Sequence, residues 1–170
     1  LVKSLFLAIL GTIILALSAK IKIPFWPVPM TMQTFVVLLI GIVYGWRLGL
    51  FTVSLYLLEG IAGLPVFAGT PEKGIGIIYF TGPTMGYLLG FLVAVFLTGY
   101  LNFNNNLFKN FIKLIFSVSF IYVLGLIWLG SLIGWDKPVF ELGAQPFLLA
   151  ELFKILLLTV LIPKIIKFKR

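Results

Sequence analysis

Two ionisable side chains in this sequence stand where charge is expensive. Glu151 and Lys154 fall inside the apolar run 146–162. Three residues apart, they share one face of a helix. Pro146 suits the first turn of that helix, which puts Glu151 about 7–8 Å and Lys154 about 12 Å below its start, at ~1.5 Å per residue. Ionised groups at such depth in an apolar segment face each other or a cavity. One reading is an ion pair that locks its helix into the neighbouring ones. The other is a ligand site, in which the carboxylate accepts N–H bonds and the ammonium donates to a carbonyl or carboxylate. The two are compatible, and the cost of the pair favours the ligand site.

Other chemistry is largely excluded. The chain has no cysteine and no histidine, which removes disulfides, thiol nucleophiles, Ser-His-Asp sets and most zinc sites. Five acids in all argue against a carboxylate metal cage. The glycine-rich stretch 74–84 has no lysine where a phosphate-binding loop needs one. No resident cofactor is expected, and no enzyme activity; a membrane enzyme using Glu151 as acid or base and a purely structural subunit remain as alternatives.

The elements that must position the pair are hydrophobic helices. Of 170 residues, 61% are hydrophobic and 11% charged, where a soluble domain carries roughly a quarter charged. Six apolar runs, 2–19, 30–45, 48–62, 83–101, 111–133 and 147–165, approach the ~20 residues of a membrane span. The first reads as a retained span. The second and third are short and joined only by Trp46-Arg47; they could be tilted, sit in a thin region of the bilayer or form a tight helical hairpin. No run alternates polar and apolar, so strands are not expected. The expectation is an all-α integral membrane protein, one domain over 1–170 with six transmembrane helices.

Connections 20–29, 63–82 and 134–146 are rich in Pro and Gly and suit a roof over a pocket; those at 46–47 and 102–110 are short and polar or basic. Lys3, Arg47, Lys109, Lys113, Lys164, Lys167, Lys169 and Arg170 fall on one side, and Lys20, Lys22, Lys73 and Lys137 on the other. Excess Lys and Arg marks the cytoplasmic face, so both termini are expected there, in a multi-pass protein of the cytoplasmic membrane. Topology thus accounts for the formal charge of +8, and nucleic acid is dropped as a partner.

Thr31, Gln33, Thr34, Thr84 and Tyr87 lie at helix ends on the side of the ion pair, each a candidate hydrogen-bonding wall. The aromatics Trp26, Phe67, Tyr79, Phe80, Trp128 and Trp135 read mostly as belt or core. Ala8, Thr12 and Ala16 recur every fourth residue, a spacing that permits close helix contact, either within the bundle or against another membrane subunit.

Several stretches together resemble one family. IPFWPVPMTMQT at 23–34 resembles the "IP…PVPxTxQT" signature of the BioY family, the biotin-specific substrate-binding subunit (S component) of energy-coupling-factor transporters. GLPVFAG at 63–69 resembles its loop of that sequence, GPTMGYLLGF at 82–91 its "GPTGGYLxGF", and Pro146-Phe147 with Glu151 and Lys154 its "PFxxxDxxK". Ile121-Tyr122, Gly125 and Trp128-Leu129 fit its fifth helix. The resemblance covers about residues 8–155. It implies an S-component bundle that captures biotin from outside, with Glu151 and Lys154 on the ligand and Phe67, Gly69, Pro83, Thr84 and Tyr87 completing the pocket. It further implies that the loop 23–31, with Pro24, Pro27 and Pro29, acts as a lid, and that Ala8, Thr12 and Ala16 dock on a partner. The implied partners are a transmembrane coupling subunit and two ATPase subunits. Two positions depart from the pattern: Glu151 stands for Asp, and Met85 for Gly.

Overall fold

A computed structural model describes residues 2–23, 28 and 30–169, with backbone alone at Ile23 and Lys169. The chain runs through α1 (Val2–Lys20), β1 (Lys22–Ile23), β2 (Met30–Thr31), α2 (Gln33–Ile61), α3 (Ile77–Phe80), α4 (Met85–Tyr100), α5 (Leu107–Ile133) and α6 (Val139–Gly143). One 3₁₀ turn, Gln145–Phe147, then leads into α7 (Leu148–Lys169). The lid prolines Pro24, Pro27 and Pro29 lie outside the described residues.

α2 is two helices. Gly45 adopts φ 76, ψ 172, a backbone that a residue with a Cβ resists. The chain reverses there. The Gln33 amide reaches the Tyr56 hydroxyl at 2.6 Å, although 23 residues of straight helix would hold them about 35 Å apart. Gly41 and Gly49, four residues either side of the break, bring the two arms together: a Cβ on Gly49 would lie 3.5 Å from the Gly41 Cα. The six apolar runs therefore become six helices, with the second and third forming a hairpin.

Local chemistry shifts several boundaries. α5 begins at Leu107, not 111, because the Asn106 side chain caps it by accepting the Lys109 N–H at 2.9 Å. α7 continues past 165 because lysines can carry a helix out of an apolar layer. The expectation of no strands fails at one place. Lys22 pairs with Thr31 and Ile23 with Met30 in an antiparallel ribbon, and the Met32 N–H donates to the Ile21 carbonyl at 3.2 Å. Two residues per strand are too few to leave an alternating pattern in the sequence.

α4 packs between the α2 hairpin and α5, and glycines set how closely. Gly86 and Gly90 recur at spacing four on the α4 face toward α5, where a Cβ on Gly90 would lie 2.6 Å from the Ile121 Cα. Small residues at this spacing allow backbones to touch. α1 packs on α2: the Tyr44 hydroxyl donates to the Leu7 carbonyl at 2.9 Å, and Thr12 to Glu59 Oε1 at 3.1 Å. Ala8 and Thr12 are accordingly buried and Ala16 half-buried. This corrects the docking reading of the small-residue stripe: Ala8 and Thr12 form a seam inside the bundle. The residues α1 leaves exposed include Leu5, Phe6, Ile9, Ile13 and Leu17, as expected of a helix against hydrocarbon. α1 and α5 are each long and apolar enough to cross a membrane, α2 reaches that length only with its two arms taken together, and α4 is a shorter apolar helix of 16 residues.

Gly90→Val should lower the melting temperature of the detergent-solubilised protein, by about 1–3 kcal/mol of overpacking, whereas the same change at Gly63, where a Cβ meets nothing within 4 Å, should act only through its positive φ. Thermal melts followed by helical circular dichroism compare the two.

Candidate ligand-binding site

α7 places Glu151 and Lys154 on its inward face, 4% and 8% exposed. Lys154 Nζ donates to Glu151 Oε2 at 3.2 Å, to Thr34 Oγ1 at 2.9 Å and to the Thr31 carbonyl at 2.7 Å. An ammonium has three protons, and all three are used. Thr34 in turn donates to Glu151 Oε2 at 3.1 Å, and the Tyr122 hydroxyl to the same oxygen at 3.0 Å. One carboxylate oxygen thus collects bonds from α2, α5 and α7. The other, Oε1, is buried and has no partner among the described residues. A buried carboxylate oxygen without a donor is costly, and it marks where a donor from a bound molecule would be stabilised.

The pair lies in a cavity of about 60 Å³. That is room for several water-sized groups, at roughly 10–15 Å³ each. Its polar wall is Thr31, Gln33, Thr34, Tyr79, Thr84, Tyr87 and Tyr122; Leu88, Phe91, Ile121 and Phe147 form much of the apolar wall. Three of the polar wall groups are held from behind. Gln33 donates to Tyr56, which donates to the Val66 carbonyl at 2.9 Å. Tyr87 donates to the Gly143 carbonyl at 2.7 Å and Tyr79 to the Ala68 carbonyl at 2.6 Å. Burial pushes the Tyr79 phenol above its usual pKa, with the Thr84 hydroxyl acting the other way, so it stays a neutral donor. The turn before α4 is pinned by the Trp128 indole N–H on the Gly82 carbonyl, 2.9 Å.

The structure therefore brings Glu151, Lys154, Tyr87, Thr84, Gln33 and Thr31 to one cavity. Phe67, Gly69 and Pro83 are not among its lining residues. Phe67 is core: its ring stacks on Tyr79 at 5.0 Å, meets Tyr56 edge-on at 5.4 Å, and packs against Gly60. Its carbonyl accepts from Lys20 at 3.2 Å, and the Thr70 carbonyl and hydroxyl oxygens each accept from Lys20 at 3.1 Å. Gly69 sits at φ 79 in that loop and serves the turn; Ala68, beside it, lines the cavity. Met85 packs against the core and is likewise absent from the lining. Tyr122 and Phe91 had no role assigned from the residues alone. A hydroxyl or ring inside an apolar run gives no sign of which way it faces; Tyr122 shows only as the residue beside Ile121 on the face that α5 turns to α4.

A helical membrane bundle closing over a polar cavity, with a satisfied ion pair and one open carboxylate oxygen, defines a membrane-embedded receptor for a small polar molecule. The comparisons narrow the class. A family-wide sequence model described as the BioY family matches residues 1–170, and the chain belongs to that family. It is 36% identical over 161 residues to Biotin transporter BioY2 of Lactococcus lactis subsp. cremoris, covering 92% of this chain and 86% of that protein. It is 35% identical over 145 residues to Biotin transporter BioY of Thermotoga maritima, covering 85% and 84%. Among solved structures, the S-component for biotin from an ECF-type ABC transporter, a crystal structure at 2.1 Å, superposes with a TM-score of 0.80 at 26% identity, over 98% of this chain and 92% of that one. The fold is that of an ECF-type S component, and the protein is an integral membrane protein.

Lys154→Met should be destabilising by about 3–5 kcal/mol, since it strands a buried carboxylate. Glu151→Leu combined with Lys154→Met should recover much of that loss. A double-mutant cycle by thermal unfolding in detergent measures it; additive losses would show that the two charges do not act as a pair.

Proposed function

We propose that this chain is the biotin-capturing subunit of an uptake system: it binds biotin in the Glu151–Lys154 cavity from the outer side of the cytoplasmic membrane and delivers it inward. The observation that carries this reading is Glu151 Oε1, a buried carboxylate oxygen with no donor of its own. Biotin offers what the cavity lacks. Its ureido ring has two N–H donors for Glu151, and its ureido carbonyl or carboxylate is an acceptor for Lys154. Its thioether ring matches the apolar wall of Leu88, Phe91, Ile121 and Phe147. Thr31, Gln33, Thr84 and Tyr87 orient the ligand from the polar side. The curated relatives named as biotin transporters support the same ligand.

The route inward follows from topology and partners. The basic residues gathered at the chain ends and at the turns 46–47 and 102–110 put that face, with both termini, in the cytoplasm. The cavity then opens toward the outside in a multi-pass bundle. With no phosphate-binding loop of its own, the chain takes energy from elsewhere. The partners are a transmembrane coupling subunit and two ATPase subunits, whose ATP cycle drives reorientation of the loaded subunit.

The deciding experiment is calorimetric titration of the purified protein in detergent with biotin. The wild-type chain should bind tightly. Glu151→Gln, which halves the acceptor capacity while keeping the shape, should weaken binding roughly 10–100-fold, the worth of one hydrogen bond to a charged group. Lys154→Ala should weaken it comparably or more. Tight binding that survives both substitutions would keep the ligand and refute the site; no binding of biotin would refute the ligand.

A further inference from the structure

The end of the bundle away from the Glu151 cavity carries a second recess, between the α4–α5 connection and the last turns of α7. Its volume is about 470 Å³. Lys164, Lys167, Asn104 and Asn105 make its polar side, and Phe103, Pro163 and Ile166 its apolar side. An adjoining recess of about 240 Å³ shares Phe103 and Ile166 and continues inward past Leu101 and Ile165. Two lysines, two asparagines and a partly apolar recess lie side by side.

The polar rim is preorganised. Asn106 N–H donates to Asn104 Oδ1 at 2.8 Å, Asn104 N–H to Asn110 Oδ1 at 3.2 Å, and the buried Asn110 amide to the Asn104 carbonyl at 2.6 Å. Lys113 is already engaged, donating to the Asn102 carbonyl with its ammonium 5.7 Å from the Phe103 ring centre. Lys164 and Lys167 are not: among the described residues they form no ion pair. Among the described residues no acid is placed to supply one: Glu59 is engaged by Thr12 of α1. Glu72, Asp136 and Glu141 lie in the connections at the other end. Glu151, on the same helix, is 13 residues from Lys164, about 20 Å. An anion from outside the chain would find both ammonium groups free of ion pairs among the described residues.

The surroundings say which anion. Phe108 and Phe168, near Asn105 and Lys167 in the chain, are 73% and 92% exposed, as aromatic rings are at membrane–water interfaces. A soluble phosphate would meet the lysines and leave the apolar side uncovered. A phospholipid satisfies both. We propose that this recess seats an anionic phospholipid, its phosphodiester on Lys164 and Lys167 with the Asn104 and Asn105 amides, and its first acyl carbons along Phe103, Pro163 and Ile166. The site is separate from the biotin cavity and does not rest on that assignment.

The test uses the full chain in detergent, titrated with phosphatidylglycerol or phosphatidylcholine and read by native mass spectrometry as lipid adducts, with circular dichroism as the fold check. Phosphatidylglycerol should be retained in preference to phosphatidylcholine. K164Q/K167Q should bind it roughly 30-fold more weakly, as expected for two lysines near a lipid phosphate, while K164R/K167R and the control K3Q/K109Q retain it. The proposal is overturned if phosphatidylcholine binds equally, if K3Q/K109Q loses as much as K164Q/K167Q, or if millimolar sodium phosphate displaces the lipid, which would mark a free-anion site.

Discussion

A carboxylate and an ammonium taken out of water each lose several kcal/mol of hydration even after the protein relaxes, and most of this bundle is arranged so that Glu151 and Lys154 bear that loss together. Three separate elements supply what their mutual attraction does not. Thr34, at the start of α2, touches both charges. Tyr122 of α5 donates a hydrogen bond to Glu151 Oε2, and the Thr31 carbonyl of β2 accepts one from Lys154. The helices cannot shift independently without leaving a charge short of a partner. The same cost argument turns the one oxygen left over into the point of greatest affinity for a donor. Stability and recognition are thus two uses of one desolvated pair.

That convergence needs backbones that approach closely, and glycine provides it. Without the break at Gly45, α2 would carry Gln33 and Tyr56 to opposite ends of the bundle, and the line Gln33–Tyr56–Val66 that braces one wall of the cavity would not exist. Without Gly86, Gly90 and Gly125, α4 and α5 would stand further apart, and the Tyr87 and Tyr122 rings, which meet edge-on at 6.2 Å, would no longer close the cavity. In an apolar solvent the hydrophobic effect does not press helices together, so such contact surfaces have to be made of small residues.

Hydropathy made the six helices legible, and the cost of buried charge made Glu151 and Lys154 legible. Both signals are large, and both can be read without knowing what neighbours what. The hairpin at Gly45 was visible only as a suspiciously short link, because its evidence is a pairing of distant residues. The inward turn of Tyr122 was not visible at all: in a helix surrounded by apolar groups on every side, periodicity does not separate the face toward lipid from the face toward the core. Motif resemblance marked the stretch 63–69, but a motif identifies a segment and not the atoms that face inward; there Ala68 reaches the cavity while Phe67 fills the core and Gly69 makes the turn. The stripe Ala8, Thr12, Ala16 shows the same limit, since small residues permit an intimate contact without saying with whom.

The third proton of Lys154 is given to main chain, the carbonyl of Thr31, and no substitution at position 31 can delete a carbonyl. What can remove it is register. Thr31 faces Lys22 because Ile23 faces Met30, and successive carbonyls along a strand point in opposite directions. A slip of one residue would aim that oxygen away from α7, whereas a slip of two would restore an acceptor at a different height. The ribbon therefore holds this acceptor through its pairing, while the Thr31 hydroxyl serves the cavity wall beside it.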